Sequence, residues 1–119
     1  NRLTYLITIL NKIRRENFAL QDFNNIQFCP IENNHLLSYF KTTPDHENQL
    51  LMVVNLDPYH RQWGMVRLPY KELGLLPGQR LIMNDLISGN SYVWDKELNY
   101  VELGPEFPFH LFKIQKMMW

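Results

Sequence analysis

Six aromatic residues have the type and spacing best suited to chemistry in this sequence, because an aromatic plane can stack on the apolar face of a sugar ring. Tyr92 and Trp94 share one face of a predicted strand, so both are expected inside the domain or both outside. Packing in a core or against another domain is the alternative role for the whole set, which also contains Tyr70 and Tyr100. The candidates for stacking on a sugar ring are Tyr59, Trp63, Tyr92 and Trp94.

The histidines and the cysteine do not form a recognisable reactive site. The four histidines, at positions 35, 46, 60 and 110, have no metal-ligand spacing with one another. His60 lies in a polar turn, where we expect a solvated side chain. Cys29 precedes Pro30 near the end of a predicted strand, and no neighbouring basic residue would lower its pKa, so inert burial is expected. We therefore predict no metal site and no catalytic cysteine.

Paired carboxylates and phosphate-binding loops give no stronger signal. Asp95 with Glu97, and Glu102 with Glu106, could act as acid and base, but on a hairpin such charges are typical of a solvated edge. The sequence has no Gly-x-Ser-x-Gly elbow, no Gly-rich phosphate loop and no dinucleotide fingerprint, and its five glycines are scattered. No catalytic residue and no cofactor are predicted.

An amphipathic helix is predicted over Leu3 to Leu20, because its apolar residues recur at helical spacing. Arg14 and Arg15 lie in its last turns, where cations interact favourably with the helix dipole. Asn17 or Asn24 would close this region. The apolar stripe comprises Leu3, Leu6, Ile7, Leu10 and Ile13.

The rest of the chain predicts antiparallel strands. Short segments rich in β-branched and aromatic residues are separated by turn residues about every 8 to 12 positions, as in a sandwich or barrel. Ser91–Asp95 is expected to pair with Tyr100–Leu103. The other predicted strands are Ile26–Cys29, His35–Lys41, Gln49–Asn55, Arg61–Leu68, Arg80–Asp85 and Phe109–Gln115.

Two of these strands carry informative patterns. Leu50 to Val54 is apolar on both faces, which predicts a central strand covered on both sides. Trp63, Met65 and Arg67 alternate with Gly64, Val66 and Leu68, which is typical of a strand with two different faces. Between strands, Pro69 to Gly74 is typical of a helical turn with Pro at its start and Gly at its end.

Composition limits the function classes. With 119 residues, 45% hydrophobic, the chain can form one core. Twelve basic residues balance twelve acidic ones, which argues against nucleic acid or an anionic membrane as a partner. No apolar run approaches the roughly 20 residues of a membrane span.

A single cysteine favours a reducing compartment, and we expect the cytoplasm. The chain lacks an initiating Met, as if it were cut from a longer protein.

Several segments together resemble a known family. The segment from Leu10 to Leu20, with its Arg-Arg-Glu-Asn-Phe-Ala-Leu pattern, resembles the end of the catalytic barrel in α-amylase superfamily enzymes, although Phe18 stands where Pro is usual. Across nearly the whole chain, further segments resemble the C-terminal domain of bacterial α-1,4-glucan:maltose-1-phosphate maltosyltransferases. These segments are Val53–His60, Val66–Pro69, Glu72–Leu75, Asp85–Gly89, Tyr92–Trp94 and Asn99–Leu103.

The resemblance implies an antiparallel Greek-key β-sandwich of about seven or eight strands at residues 23–119. Residues 1–22 would then be the last helix of a (β/α)₈ barrel in the same polypeptide, and Leu3, Leu6, Leu10 and Ile13 would pack against that barrel. The domain itself would be non-catalytic, since the barrel carries the carboxylates for maltosyl transfer. A glucan-binding surface module, or the same domain in a parent hydrolase, remain alternatives.

Overall fold

The protein is described here by a computed structural model, which covers residues 2–21 and 25–117 apart from the side chains of Arg2, Leu3 and Leu6. One helix, α1, comes first, and a short 3₁₀ helix at Phe18–Gln21 follows it. Eight strands follow: β1 (Ile26–Phe28), β2 (Leu36–Thr42), β3 (Gln49–Asn55), β4 (Gln62–Arg67), β5 (Leu81–Asp85), β6 (Ser91–Trp94), β7 (Leu98–Leu103) and β8 (Phe109–Lys116). α1 spans Arg2–Glu16.

The strands form two antiparallel sheets. The large sheet has six strands in the order β1-β2-β3-β8-β5-β6, and the small sheet pairs β4 with β7. Strands β3, β8 and β5 lie side by side although they are distant in sequence, which is the kind of crossover that a Greek-key sandwich uses. The prediction of a mainly β sandwich preceded by one helix is confirmed.

The predicted pairing of Ser91–Asp95 with Tyr100–Leu103 is wrong. β6 pairs with β5, and β7 pairs with β4. The turn between β5 and β6 explains why these two strands pair. The Asp85 carboxylate accepts the backbone N–H of Ile87 at 3.0 Å, and Gly89 donates to the Asp85 carbonyl at 2.8 Å, so both bonds close a tight turn. After β6 the chain crosses to the small sheet, where Leu68 donates to the Glu97 carbonyl at 2.8 Å.

The main core lies between the two sheets. Leu51 and Val53 of β3 are fully buried there with Val66 of β4 and Val101 of β7. Leu50 belongs to the opposite face of β3 and is also fully buried, in a second cluster. The expected central strand covered on both sides is therefore confirmed.

Helix α1 covers the outer face of the large sheet. Ile13 is buried in the second cluster with Leu50 and Leu111, and Ile9 packs against them. Since the small sheet covers the inner face, α1 and the small sheet lie on opposite sides of the large sheet.

The helix ends earlier than Leu20, at Glu16. Asn17 closes it by donating from Nδ2 to the Ile13 carbonyl at 2.8 Å, and the side chain of Asn48, in the turn before β3, accepts the N–H of Ala19 at 2.8 Å. This contact explains why the chain leaves the α-helical path. Asn24, the other predicted closing residue, lies outside the described residues.

Candidate functional site

The four candidate stacking residues lie on different parts of the domain. Tyr59 is 82% exposed in the loop before β4, and Trp63 is 59% exposed on the outer face of the small sheet. Tyr92 and Trp94 lie on the inner face of the large sheet, on β6. The structure therefore brings together Tyr92 and Trp94, and it places the other two elsewhere.

Tyr92 and Trp94 share a face, and both pack on one ring of the core. Their ring centroids lie 5.9 Å and 5.5 Å from that of Phe112, both with edge-to-face geometry. Trp94 is 8% exposed, whereas Tyr92 is 42% exposed. The expectation that both would be inside or both outside is therefore too simple. The two strands of the small sheet cannot cover all six strands of the large sheet. The inner face of the large sheet is therefore exposed to solvent at Tyr92.

An open cleft of about 430 Å³ lies where the inner face emerges. One wall comes from β6 and β8 of the large sheet, and the other comes from β7 with the residue preceding β4. We call it the β6–β7 cleft. Its principal lining residues are Arg61, Tyr92, Trp94, Tyr100, Glu102 and His110.

A polar network occupies the β7 side of the cleft. The Tyr100 hydroxyl donates to Glu102, and Arg61 Nε donates to the other oxygen of the same carboxylate. Arg61 Nη1 also lies 3.6 Å from Oε1 of Glu106. The hydrogen bonds from Tyr100 and Arg61 hold the pKa of Glu102 below its usual value. The carboxylate is therefore ionised at neutral pH and shared between a phenol and a guanidinium group.

A histidine is fixed on the β8 side. Nδ1 of His110 lies 3.0 Å from Oδ2 of Asp85, and the imidazole stacks on Phe112 with ring centroids 4.8 Å apart. Burial of Asp85 would raise its pKa, but hydrogen bonds from His110 and from two backbone N–H groups outweigh it, and the pKa is lowered. An ionised Asp85 favours the proton on Nδ1, which leaves Nε2 as the second ring nitrogen for other partners.

Part of this cleft was indicated by the sequence, since Tyr92 and Trp94 are candidates for stacking, whereas Arg61 and His110 were missed. Tyr100 belonged to the wider aromatic set, and Glu102 was expected to be a solvated edge charge, which its partial exposure agrees with. The His110–Asp85 pair joins strands that are distant in sequence, so no spacing pattern indicates it.

Another, slightly smaller cavity lies along the other edge of the small sheet. It measures about 370 Å³ and has Trp63, Met65 and Arg67 on one side, with Ile31 opposite. This face of β4 points outward, since Trp63 and Met65 are 59% and 44% exposed. The lining is mostly apolar and contains few groups that could orient a ligand.

The remaining reactive groups agree with the expected inert roles. Cys29 is buried, and this burial raises the pKa of its thiol to about 11. His60 is exposed, with Nδ1 3.1 Å from Oδ2 of Asp57. Within residues 2–21 and 25–117, no group of three potential ligand side chains could hold a metal ion. No helix in the same part of the chain is long and apolar enough to cross a membrane.

The residues expected to pack on a barrel differ in their exposure to solvent. Leu10 is 38% exposed, whereas Ile13 is buried beneath the helix against Leu50. The side chains of Leu3 and Leu6 lie outside the described part of the structure. Contact of these residues with a barrel stays a prediction.

Comparison with known families gives one clear match. Residues 28–114 match the family described as "GLGE, C-terminal". The chain is 39% identical over 115 residues to an alpha-1,4-glucan:maltose-1-phosphate maltosyltransferase from Chlorobaculum tepidum, covering 91% of this chain and 17% of that protein. A protein of the same name from Rhodospirillum rubrum is 44% identical over 89 residues, which is 75% of this chain and 13% of the relative. The chain thus spans less than a fifth of these relatives.

A solved structure has the same fold. A maltogenic alpha-amylase from Thermotoga neapolitana superposes with a TM-score of 0.70 at 13% sequence identity. The superposition covers 98% of this chain and 26% of the amylase chain. At this identity the likeness shows the fold alone, and it extends over nearly the whole chain.

Proposed function

Because the chain belongs to the family of GLGE C-terminal domains, we propose that it is the non-catalytic C-terminal domain of a larger maltosyltransferase and that it stabilises the catalytic barrel of that enzyme. The parent would transfer maltosyl units from maltose 1-phosphate to an α-1,4-glucan, as the names of the relatives state for those proteins. A parent hydrolase is the less favoured alternative, since the amylase likeness concerns the fold only.

The observation that carries the stabilising role is the set of exposed apolar residues on α1. Tyr5, Ile7 and Leu10 are 65%, 50% and 38% exposed, although Ile13 of the same helix is buried against the sandwich. A helix that keeps large apolar side chains exposed beside its buried contact is typical of one that packs against a second body. The family match begins at residue 28, after α1, which supports assigning the helix to the neighbouring barrel.

Burial of that exposed side would contribute to stability through the hydrophobic effect. Each large apolar side chain that becomes fully buried contributes about 1.5–3 kcal/mol. The proposed partner is therefore the (β/α)₈ barrel of the same polypeptide, which would also supply all catalytic residues. We place this polypeptide in the cytoplasm, as the single cysteine favours.

The proposal is tested on the longer polypeptide that it requires. The sequence upstream of residue 1 should encode a barrel with catalytic carboxylates. Removing residues 23–119 should then lower the thermal midpoint of the barrel and its maltosyl transfer. A truncated barrel with unchanged stability and activity would refute the stabilising role.

A surface variant makes the same test without truncation. The triple change Tyr5→Ser, Ile7→Ser and Leu10→Ser should lower the thermal midpoint of the longer polypeptide by several degrees. Trp63→Ser is the matched control, because Trp63 is 59% exposed on the side of the domain opposite α1. Equal effects of the two variants would argue against packing through α1.

A further inference from the structure

The β6–β7 cleft contains aromatic and polar side chains that a packing role does not use. We propose that this cleft binds a short segment of an α-1,4-glucan chain, with Tyr92 and Tyr100 as stacking surfaces and Arg61, Glu102 and His110 as hydrogen-bonding groups. The identity of the sugar rests on the proposed function, whereas the presence of a sugar site rests on the cleft itself.

The two tyrosines give the cleft accessible aromatic surface. Tyr92 is 42% exposed and Tyr100 is 55% exposed, and they come from opposite walls. Tyr92 is held by its edge-to-face contact with Phe112, and Tyr100 is held by its hydrogen bond to Glu102. Side chains that are fixed before binding lose little conformational entropy when a ligand arrives. The volume of about 430 Å³ lies within the range of small-molecule sites.

The charges of the cleft favour an uncharged ligand. Arg61 lies between the carboxylates of Glu102 and Glu106, so the positive charge is already balanced. An anionic ligand such as a phosphate or a nucleic acid would meet two carboxylates here. A neutral polyhydroxyl chain avoids this repulsion, and its hydroxyl groups can both donate to Glu102 and accept from Arg61.

His110 adds a fixed polar group to the cleft. Asp85, whose side chain is 2% exposed, holds Nδ1 at 3.0 Å, and the stacking on Phe112 fixes the plane of the ring. Because the Asp85 carboxylate occupies Nδ1, Nε2 is the ring nitrogen left for a hydrogen bond with a sugar hydroxyl, which can donate or accept. A histidine held in this way can orient a bound sugar by a hydrogen bond, which aromatic stacking alone does not do.

The position of the cleft leaves it accessible when the barrel is present. α1 packs on the outer face of the large sheet through Ile13 and Leu50, whereas the cleft opens at the inner face beside β7. A barrel that contacts the domain through α1 alone would therefore leave the cleft open. A glucan bound there would be held on the enzyme away from the reaction centre, which would raise the local concentration of acceptor chains.

The test uses the 119-residue chain and maltoheptaose. Titration followed by ¹H–¹⁵N correlation spectra should shift amide signals of β6, β7 and the start of β8, with saturation in the millimolar range. Tyr92→Ala and Tyr100→Ala should each weaken binding about twofold to tenfold, as expected for loss of one aromatic contact. Tyr100→Phe keeps the ring and removes the hydroxyl, so a smaller loss separates stacking from hydrogen bonding.

Tyr5→Ala is the matched control, because Tyr5 is a 65% exposed tyrosine on α1 at the opposite side of the large sheet. It should bind maltoheptaose as the unchanged chain does. Absence of saturable shifts, or dissociation constants of Tyr92→Ala and Tyr100→Ala that both equal that of the unchanged chain, would overturn the site. Equal binding of cellohexaose would overturn the assignment to α-linked glucan. None of these outcomes depends on the barrel experiments, so failure of either proposal can be recognised separately.

Discussion

Asn48, in the turn before β3, donates from Nδ2 to Oδ1 of Asn17 at 2.9 Å, although the two residues are 31 positions apart. The same Asn48 side chain accepts the N–H of Ala19 at 2.8 Å through Oδ1. The side-chain amide of Asn48 thus forms hydrogen bonds with two polar groups just beyond the end of α1. Asn17 is buried there, with 3% of its surface exposed. This contact ties the helix to the large sheet by polar groups, beside the apolar contact of Ile13.

Replacing Asn48 should weaken this connection. In the Asn48→Ala variant, Oδ1 of the buried Asn17 and the N–H of Ala19 lose their partner, and an unpaired buried polar group costs about 1–3 kcal/mol. Urea unfolding of the 119-residue chain measures the change. Asn34→Ala is the control, since Asn34 is exposed in another turn, and it should change the free energy of unfolding by less than about 0.5 kcal/mol. Equal values for the two variants would contradict the structural role of Asn48.

Gly74 should tolerate alanine less well than Gly78. Both residues have positive φ angles, 70° and 78°, so a side chain strains each backbone by about 1–2 kcal/mol. An added Cβ at Gly74 would also lie 2.6 Å from Nδ1 of His46, whereas nothing lies within 4 Å at Gly78. We therefore expect Gly74→Ala to lower the free energy of unfolding more than Gly78→Ala.

A double-mutant cycle identifies the cause of that difference. If the clash with His46 is responsible, Gly74→Ala should cost less in a His46→Ala background than in the original chain. Thermal or urea unfolding of the four chains gives the interaction free energy. An unchanged cost in the His46→Ala background would assign the whole effect to the backbone.

Asp57 should make stability fall in acid. The N–H of Tyr59, together with Gln62 and His60, hydrogen-bonds to this carboxylate and outweighs its burial, so its pKa is lowered to about 2. In the unfolded chain the pKa of Asp is about 3.9. The contribution of Asp57 is thus complete above about pH 4 and is lost as the pH falls toward 2.

Unfolding free energies measured between pH 7 and pH 2 test this dependence. Asp57→Asn should flatten the acid branch, and part of the slope should remain because hydrogen bonds also lower the pKa of Asp85. Asp95→Asn, which changes an exposed aspartate, should leave the slope unchanged. An acid branch that is identical in Asp57→Asn and the original chain would contradict the prediction.

Cys29 should be unreactive until the domain opens. Its thiol is 5% exposed, and burial raises its pKa to about 11. At pH 8 only about one thiol in a thousand would be ionised, and the thiolate is the reactive species. Reaction with a disulfide reagent should therefore be slow in the native chain and fast in urea. Rapid labelling under native conditions would mean that Cys29 is accessible.

The sequence predicted the features that depend on neighbouring residues. The alternation from Trp63 to Arg67 indicated a strand with two different faces, and the apolar segment Leu50 to Val54 located the central strand, because the side-chain period of a strand is local. Asn17 was also correctly placed at a helix end. These features follow from side-chain spacing alone.

Long-range contacts could not be predicted in the same way. The end of α1 depends on Asn48, and the separation of β6 from β7 depends on the hairpin that Asp85 closes. The β6–β7 cleft brings together residues of β6, β7 and β8 with Arg61, and it exists because the small sheet is narrower than the large one. No spacing within one segment indicates such a cleft.

The two sides of α1 should respond differently to the loss of an isoleucine. Ile13→Ala removes buried methyl groups beside Leu50 and Leu111 and should cost about 2–4 kcal/mol in the 119-residue chain. Ile7→Ala is a matched change on the same helix, but Ile7 is 50% exposed, so its cost should be below about 1 kcal/mol there. In the longer polypeptide, burial against the barrel should raise the cost of Ile7→Ala toward that of Ile13→Ala. An Ile7→Ala cost that is the same in both chains would mean that this side of the helix stays in solvent and that the barrel packs elsewhere.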